Sequence, residues 1–141
     1  MKKPYEFLEH TADSKFKAYG ETIEEAFENS AKATFDTMID ISTVKQKSKK
    51  KIELETENIE ELLYKWISEL IYLFSAKNIV FSNFNVDITK DKLKYKLMGE
   101  AIGEKIDLSK HVFNTEVKAI TYHNLEIKKN EKYQIITLLD T

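Results

Sequence analysis

Two blocks of this chain carry apolar residues at helical spacing, and almost everything after Asn78 carries them at every second position. A helix repeats its faces every 3.6 residues and a strand every two, so one segment cannot satisfy both patterns. This change of period predicts two long amphipathic helices early in the chain and a strand-rich C-terminal half. With short turns between the later strands, the sheets are expected to be mainly antiparallel, and the fold class is α+β.

The first helical block opens at Thr22, with Glu25 three residues on. In that pattern the hydroxyl takes one free N–H of the first turn and the carboxylate reaches back to another. Ile23, Ala26, Phe27, Ser30, Ala31, Thr34, Phe35 and Met38 follow on one face. The second block repeats the device with Asn58 and Glu61. Ile59, Leu62, Leu63, Trp66, Ile67, Leu70, Leu73 and Phe74 make a broader stripe, which predicts the more buried helix. Trp66 and Glu69 read as a core aromatic and a surface charge.

The strands predicted from alternation are Tyr5–Glu9, Ser14–Tyr19, Ile52–Thr56, Phe81–Thr89, Lys92–Gly99, Glu116–His123, Leu125–Lys129 and Lys132–Leu139. The expected order is β-β-α-β-α and then the β-rich half, as one domain over residues 1–141, with turns at 89–92 and 130–131. Within Glu116–His123, alternation sets Val117, Ala119 and Thr121 on one face and Lys118, Ile120 and Tyr122 on the other. A lysine on that apolar face of a central strand either snorkels to water or points at an anion.

Composition narrows the chemistry. The chain has no cysteine, so thiolate nucleophiles, disulfides, iron–sulfur clusters and thiolate zinc sites are excluded. Its net charge of −2 gives no global field for nucleic acid or anionic lipid, and direct RNA binding is not expected. The run Lys45–Lys51 reads as a solvated loop that also blunts an edge strand. The apolar-rich stretch from Ile59 to Phe74 is broken by Glu60, Glu61, Lys65 and Glu69, so no membrane span is expected. Met1–Pro4 leads into alternating residues without an apolar block, so the expectation is no signal peptide and a cytoplasmic protein.

Three polar groupings remain. Asp140 and Thr141 stand directly behind the apolar run Gln134–Leu139, and His10-Thr11-Ala12-Asp13 stands directly behind another apolar strand. If the two ends lie side by side, aspartate and terminal oxygens converge there, the hard donors that Ca²⁺ requires. The plain alternatives are a frayed tail and an Asp-capped turn. Glu104, Asp107 and His111 form the third grouping. They include acid–base side chains, but at a spacing that fits no metal or triad signature.

Taken together, several motifs give this chain a resemblance to the archease family. They are Glu9–Asp13 (EHTAD), the helix start Gly20–Phe27, Trp66–Tyr72, Gly103 and Glu104 with Asp107 and His111, Glu116–Tyr122 (EVKAITY) and the ending Ile136–Asp140. The likeness runs from about residue 5 to the last residue. It implies a protein cofactor of the GTP-dependent tRNA-splicing RNA ligase, not an enzyme. Such a protein promotes guanylylation of a ligase histidine, supports multiple turnover and broadens nucleotide use. It also implies a divalent metal, most simply Ca²⁺, on Asp13, Asp140 and Thr141. Lys118 is the next candidate functional residue, with His10 and Glu104 behind it. The link to tRNA is indirect. The alternative is a chaperone or a modulator of tRNA methyltransferases or other RNA-processing proteins.

Overall fold

The computed structural model describes residues 3–8 and 14–141. Their order is β1 (Tyr5–Leu8), β2 (Ser14–Gly20), α1 (Ile23–Met38), a short 3-10 helix (Ile41–Thr43), β3 (Ser48–Thr56), α2 (Ile59–Lys77), β4 (Ile79–Lys90), β5 (Tyr95–Lys105), β6 (Ala119–Lys129) and β7 (Tyr133–Asp140). The strands form two antiparallel sheets, a four-stranded one ordered β1-β2-β7-β6 and a three-stranded one ordered β3-β5-β4. The α+β expectation holds.

Both helix starts are built as their sequences require. Thr22 Oγ1 accepts the Glu25 N–H at 3.1 Å, and Glu25 Oε1 accepts the Glu21 N–H at 2.7 Å. Asn58 Oδ1 accepts the Glu61 N–H at 2.7 Å. Helix α2 stops at Asn78, which adopts the left-handed conformation (φ 57°) and returns its N–H to Leu73 O. Asparagine tolerates that conformation better than branched residues do, so the helix ends there and β4 begins at once.

Each helix packs on strands of both sheets: α1 on β2, β7 and β4, and α2 on β6, β3, β4 and β5. The shared core is aromatic. Phe35 meets Phe81 edge-on with centroids 5.5 Å apart, and Trp66 meets Phe84 at 6.2 Å. Edge-on contacts suit ring quadrupoles and add to the area buried. Trp66 is wholly buried, and its indole N–H is satisfied by Phe27 O at 3.1 Å, which joins α2 to α1.

Several expected boundaries shift. Strand β3 begins at Ser48, so Lys49–Lys51 lie in the sheet, on its edge strand, where their charge discourages pairing with another chain. Strand β5 starts later than alternation suggested and runs on through the polar stretch to Lys105. The turn before it moves to 91–94, because Asp91 Oδ1 accepts the N–H groups of Leu93 and Lys94, both at 3.0 Å. The two strands expected at 116–123 and 125–129 are one strand, β6, starting only at Ala119. Its register against β7 slips between Thr121 and Glu126, where Asn124 takes a positive φ of 61°. Residues 122–125 of β6 stand against residue 137 of β7 alone, an enlarged bulge, and a bulge resets the alternation on which face assignments rest. No described helix is long and apolar enough to cross a membrane.

Candidate functional site

Strand β7 lies between β2 and β6, and its last residues organise one end of the four-stranded sheet. Ser14 is paired with Leu139, and Ala119 with Asp140. Lys118 donates its main-chain N–H to Asp140 O at 2.8 Å. The residue that follows Asp13 in sequence therefore sits opposite the residue that precedes Asp140, and Lys118 closes the other flank. Asp140 is exposed and Thr141 half-buried, whereas Leu138 and Leu139 just before them are core residues. The Asp140 carboxylate thus stands at the end of a strand held on both sides, and makes no hydrogen bond among the described residues. An oxygen donor on such a support suits a hard cation better than a soft one. Among the described residues, no group of three or more histidines or acids is arranged to hold a metal ion. His10 and Asp13 lie outside the described residues.

The side chain of Lys118 is exposed and precedes β6, which is an edge strand. The expected central-strand lysine facing Ile120 and Tyr122 is therefore corrected. Val117 and Ile120 are both buried, three residues apart, because Val117 and Lys118 are not yet in strand geometry.

Glu104 and His111, both buried, form a second polar centre at the wall of an open pocket that Lys47 and Lys110 also line. Glu104 Oε1 accepts from Lys110 Nζ at 2.7 Å, with Lys47 Nζ at 3.8 Å. Its Oε2 accepts the Lys45 N–H at 2.7 Å and faces His111 Nε2 at 2.9 Å. His111 Nδ1 accepts the Asp107 N–H at 2.9 Å, which leaves Nε2 as the donor to Glu104. Asp107 is occupied by the N–H and hydroxyl of Ser109, at 3.0 and 2.6 Å. The Lys110 ammonium, then the Lys45 N–H and His111, hold the Glu104 carboxyl down at about 2. A carboxylate so fully engaged is a poor proton acceptor. The polar stretch that looked like acid–base chemistry is a brace between β5 and the segment leading to β6.

Sequence reasoning also passed over one surface feature. Tyr64 of α2 and Tyr122 of β6 stack with centroids 4.2 Å apart and planes within 7°. The helical position of Tyr64 and the strand position of Tyr122 were each readable, but no local pattern predicts their meeting.

With this geometry in view, the comparisons are consistent with one another. A sequence profile of the Archease protein family matches residues 5–141. The chain is 48% identical to "Protein archease" of Methanosarcina barkeri over 128 residues, covering 90% of this chain and 88% of that one. It is 43% identical to "Protein archease" of Pyrococcus abyssi over 127 residues, covering 90% and 89%. The solution structure of protein 1598 of Methanobacterium thermoautotrophicum superposes with a TM-score of 0.87 at 37% identity, over 98% of this chain and 99% of that one. A whole-length fold, an EVKAITY segment at the start of β6 and a strand-final Asp140 agree with that assignment, and the chain belongs to the archease family.

Proposed function

We propose that this protein is an activating partner of the GTP-dependent tRNA-splicing RNA ligase. In this reading it promotes guanylylation of the ligase, lets it turn over repeatedly and widens the nucleotides it accepts, with no chemistry of its own. The family supports the reading in general terms. The observation that carries it is the seat of Asp140, at the end of a strand flanked by Ser14 on one side and Lys118 on the other.

The residues fit a small tip presented to a partner. Asp140 and a main-chain oxygen of Thr141, with Asp13, would hold a hard divalent cation, most simply Ca²⁺. When bound, that ion would supply positive charge toward carboxylate or phosphate groups of the partner. Lys118 adds an exposed ammonium beside Asp140. The main-chain bond between them fixes the two residues side by side at the end of the sheet.

A general holdase would need a contiguous apolar surface for unfolded clients. Here the exposed large apolar side chains are spread over separate elements, with Phe7 on β1, Tyr72 on α2, Leu93 in the β4–β5 turn, Met98 on β5, Leu108, Val112 and Phe113 before β6, and Tyr122 on β6. The deciding experiment measures ligase–GMP formation and multiple-turnover RNA ligation by the cognate ligase. Wild-type protein should stimulate both, and Asp13→Ala and Asp140→Ala should each lose most of that stimulation. Full stimulation by both variants removes the tip from the mechanism.

A further inference from the structure

The Tyr64–Tyr122 stack is more exposed than a pair serving the core alone. Tyr122 keeps 52% of its surface open, and Tyr72, two turns along α2 from Tyr64, keeps 49%. None of the three phenols makes a hydrogen bond among the described residues, so each hydroxyl is free to take one from outside. Tyr64 supports one face of Tyr122 and fixes its ring, which lowers the entropy lost when that ring is covered. Rigid, amphipathic tyrosines of this kind are over-represented among the residues that dominate binding energy at protein interfaces.

Position ties the pair to the tip. Tyr122 is three residues along β6 from Ala119, the partner of Asp140. At about 3.3 Å per residue that is roughly 10 Å. A standard interface of about 800 Å² per side spans both features easily. The register slip beyond Thr121 also leaves this part of an edge strand outside the ladder with β7.

Charge selects the occupant. Glu57 and Glu60 are exposed at the start of α2, and Glu61 lies near enough to help burial push the Tyr122 phenol up. Lys65 is paired with Glu61 at 3.6 Å. With Glu61 engaged by Lys65, the exposed Glu57 and Glu60 carboxylates set the local sign: they disfavour a phosphate backbone and favour a surface carrying Arg or Lys, whose cations also bind tyrosine faces.

We propose that the Tyr64–Tyr122 pair is the docking anchor for the protein partner, receiving an Arg- or Lys-bearing apolar surface while the Asp140 end meets the partner's reactive region. This rests on the proposed role as a ligase activator and assigns affinity to the tyrosines and stimulation to the tip.

The test is the dissociation constant for the cognate ligase by calorimetry, alongside ligase turnover across a titration of this protein. Tyr122→Ala should weaken binding at least tenfold, with turnover recovered at saturation. Tyr122→Phe should stay within about threefold of wild type. Because Tyr64→Ala can also loosen α2, exposed Glu60→Lys serves as the second probe and should weaken binding several-fold. Asp140→Ala should bind normally and fail to stimulate. Wild-type affinity in both Tyr122→Ala and Glu60→Lys overturns the anchor and leaves the activator role standing. Wild-type protein that binds without stimulating overturns the role and leaves the anchor to be decided by the same affinities. No binding by wild type overturns both. A Tyr122-dependent dimer in light scattering, or Tyr122-dependent binding of single-stranded RNA in its place, overturns the anchor in favour of that occupant.

Discussion

Glu104 Oε2 and His111 Nε2 lie 2.9 Å apart, both residues about 95% buried, and join β5 to the irregular segment that delivers Lys118 to β6. That segment has little regular structure of its own. It is anchored by this pair and by main-chain bonds to the end of α1, Asn114 N–H to Met38 O at 2.8 Å and Asp40 N–H to Val112 O at 2.8 Å. The placing of Lys118 beside Asp140 thus depends on a polar centre remote from the tip.

Replacing His111 by alanine leaves the buried Glu104 Oε2 short of one donor and removes the acceptor of the Asp107 N–H. An unpaired buried polar group costs about 1–3 kcal/mol, which in a domain of this size lowers Tm by roughly 3–10 °C. Calorimetry should show a Tm decrease of that size, and under the activator role proposed above the stimulation should fall as well, because the 106–118 segment loosens. An unchanged Tm would show that the brace is dispensable.

Acid should reach the same centre. The Glu104 carboxyl sits at about 2 in the fold against an ordinary 4.5, held down first by Lys110, then by the Lys45 N–H and His111. Between those values the unfolded chain binds more protons, so this contribution is present above about pH 4.5 and is lost as pH falls toward about 2. In urea melts the wild-type midpoint should drop steeply over that window. Glu104→Gln should start lower at neutral pH and drop less. Parallel profiles would show that the acid sensitivity lies elsewhere.

What was legible in the sequence followed from local rules. Thr22 and Asn58 announced their helices because a cap needs only neighbours, and the period change at Asn78 marked where α2 gives way to β4. The adjacency of Ser14 to Leu139, which sets the residue after the HTAD motif opposite the residue before Asp140, was available only as a conditional, since strand order is a long-range property. The faces of Val117, Lys118 and Ile120 were misjudged because alternation was extended across a segment that is not yet strand. Glu104 and His111 were visible as titratable residues, but the N–H of Lys45 that completes the centre arrives from a segment 59 residues away in sequence.

Gly103 should tolerate no side chain. A Cβ there would lie 1.8 Å from Val80 O and 2.7 Å from Phe81 Cα, both main-chain atoms that cannot move aside cheaply. Gly103→Ala should cost about 3 kcal/mol or more, at the upper end for overpacking. Gly99→Ala meets the Trp66 ring at 2.8 Å and should cost less, since a side chain can shift. Chemical denaturation of the two variants gives the order, and a milder Gly103→Ala would disprove it.

The open edge of β4 yields the last prediction. Its outward N–H groups are covered in turn, Phe84 by Asn83 Oδ1 at 3.1 Å, Val86 by Glu28 Oε2 at 2.8 Å and Ile88 by Glu24 Oε2 at 3.4 Å. The match is geometric: four residues of α1 advance about 6.0 Å and two residues of a strand about 6.6 Å, so Glu24 and Glu28 keep step with alternate N–H groups. Burial, partly opposed by the Val86 N–H bond, raises the Glu28 carboxyl above its ordinary value of 4.5. A raised carboxyl contributes stability fully below its ordinary value and loses it as pH climbs through the raised one. Glu28→Gln, which keeps an oxygen for Val86 without the charge, should therefore be at least as stable as wild type at pH 7 and lose that advantage in acid. The Glu24→Ala, Glu28→Ala pair should instead leave a bare strand edge, costing about 1–2 kcal/mol and causing concentration-dependent association in sedimentation velocity. A double variant that stays monomeric at high concentration would mean that these carboxylates are not what keeps the edge from pairing.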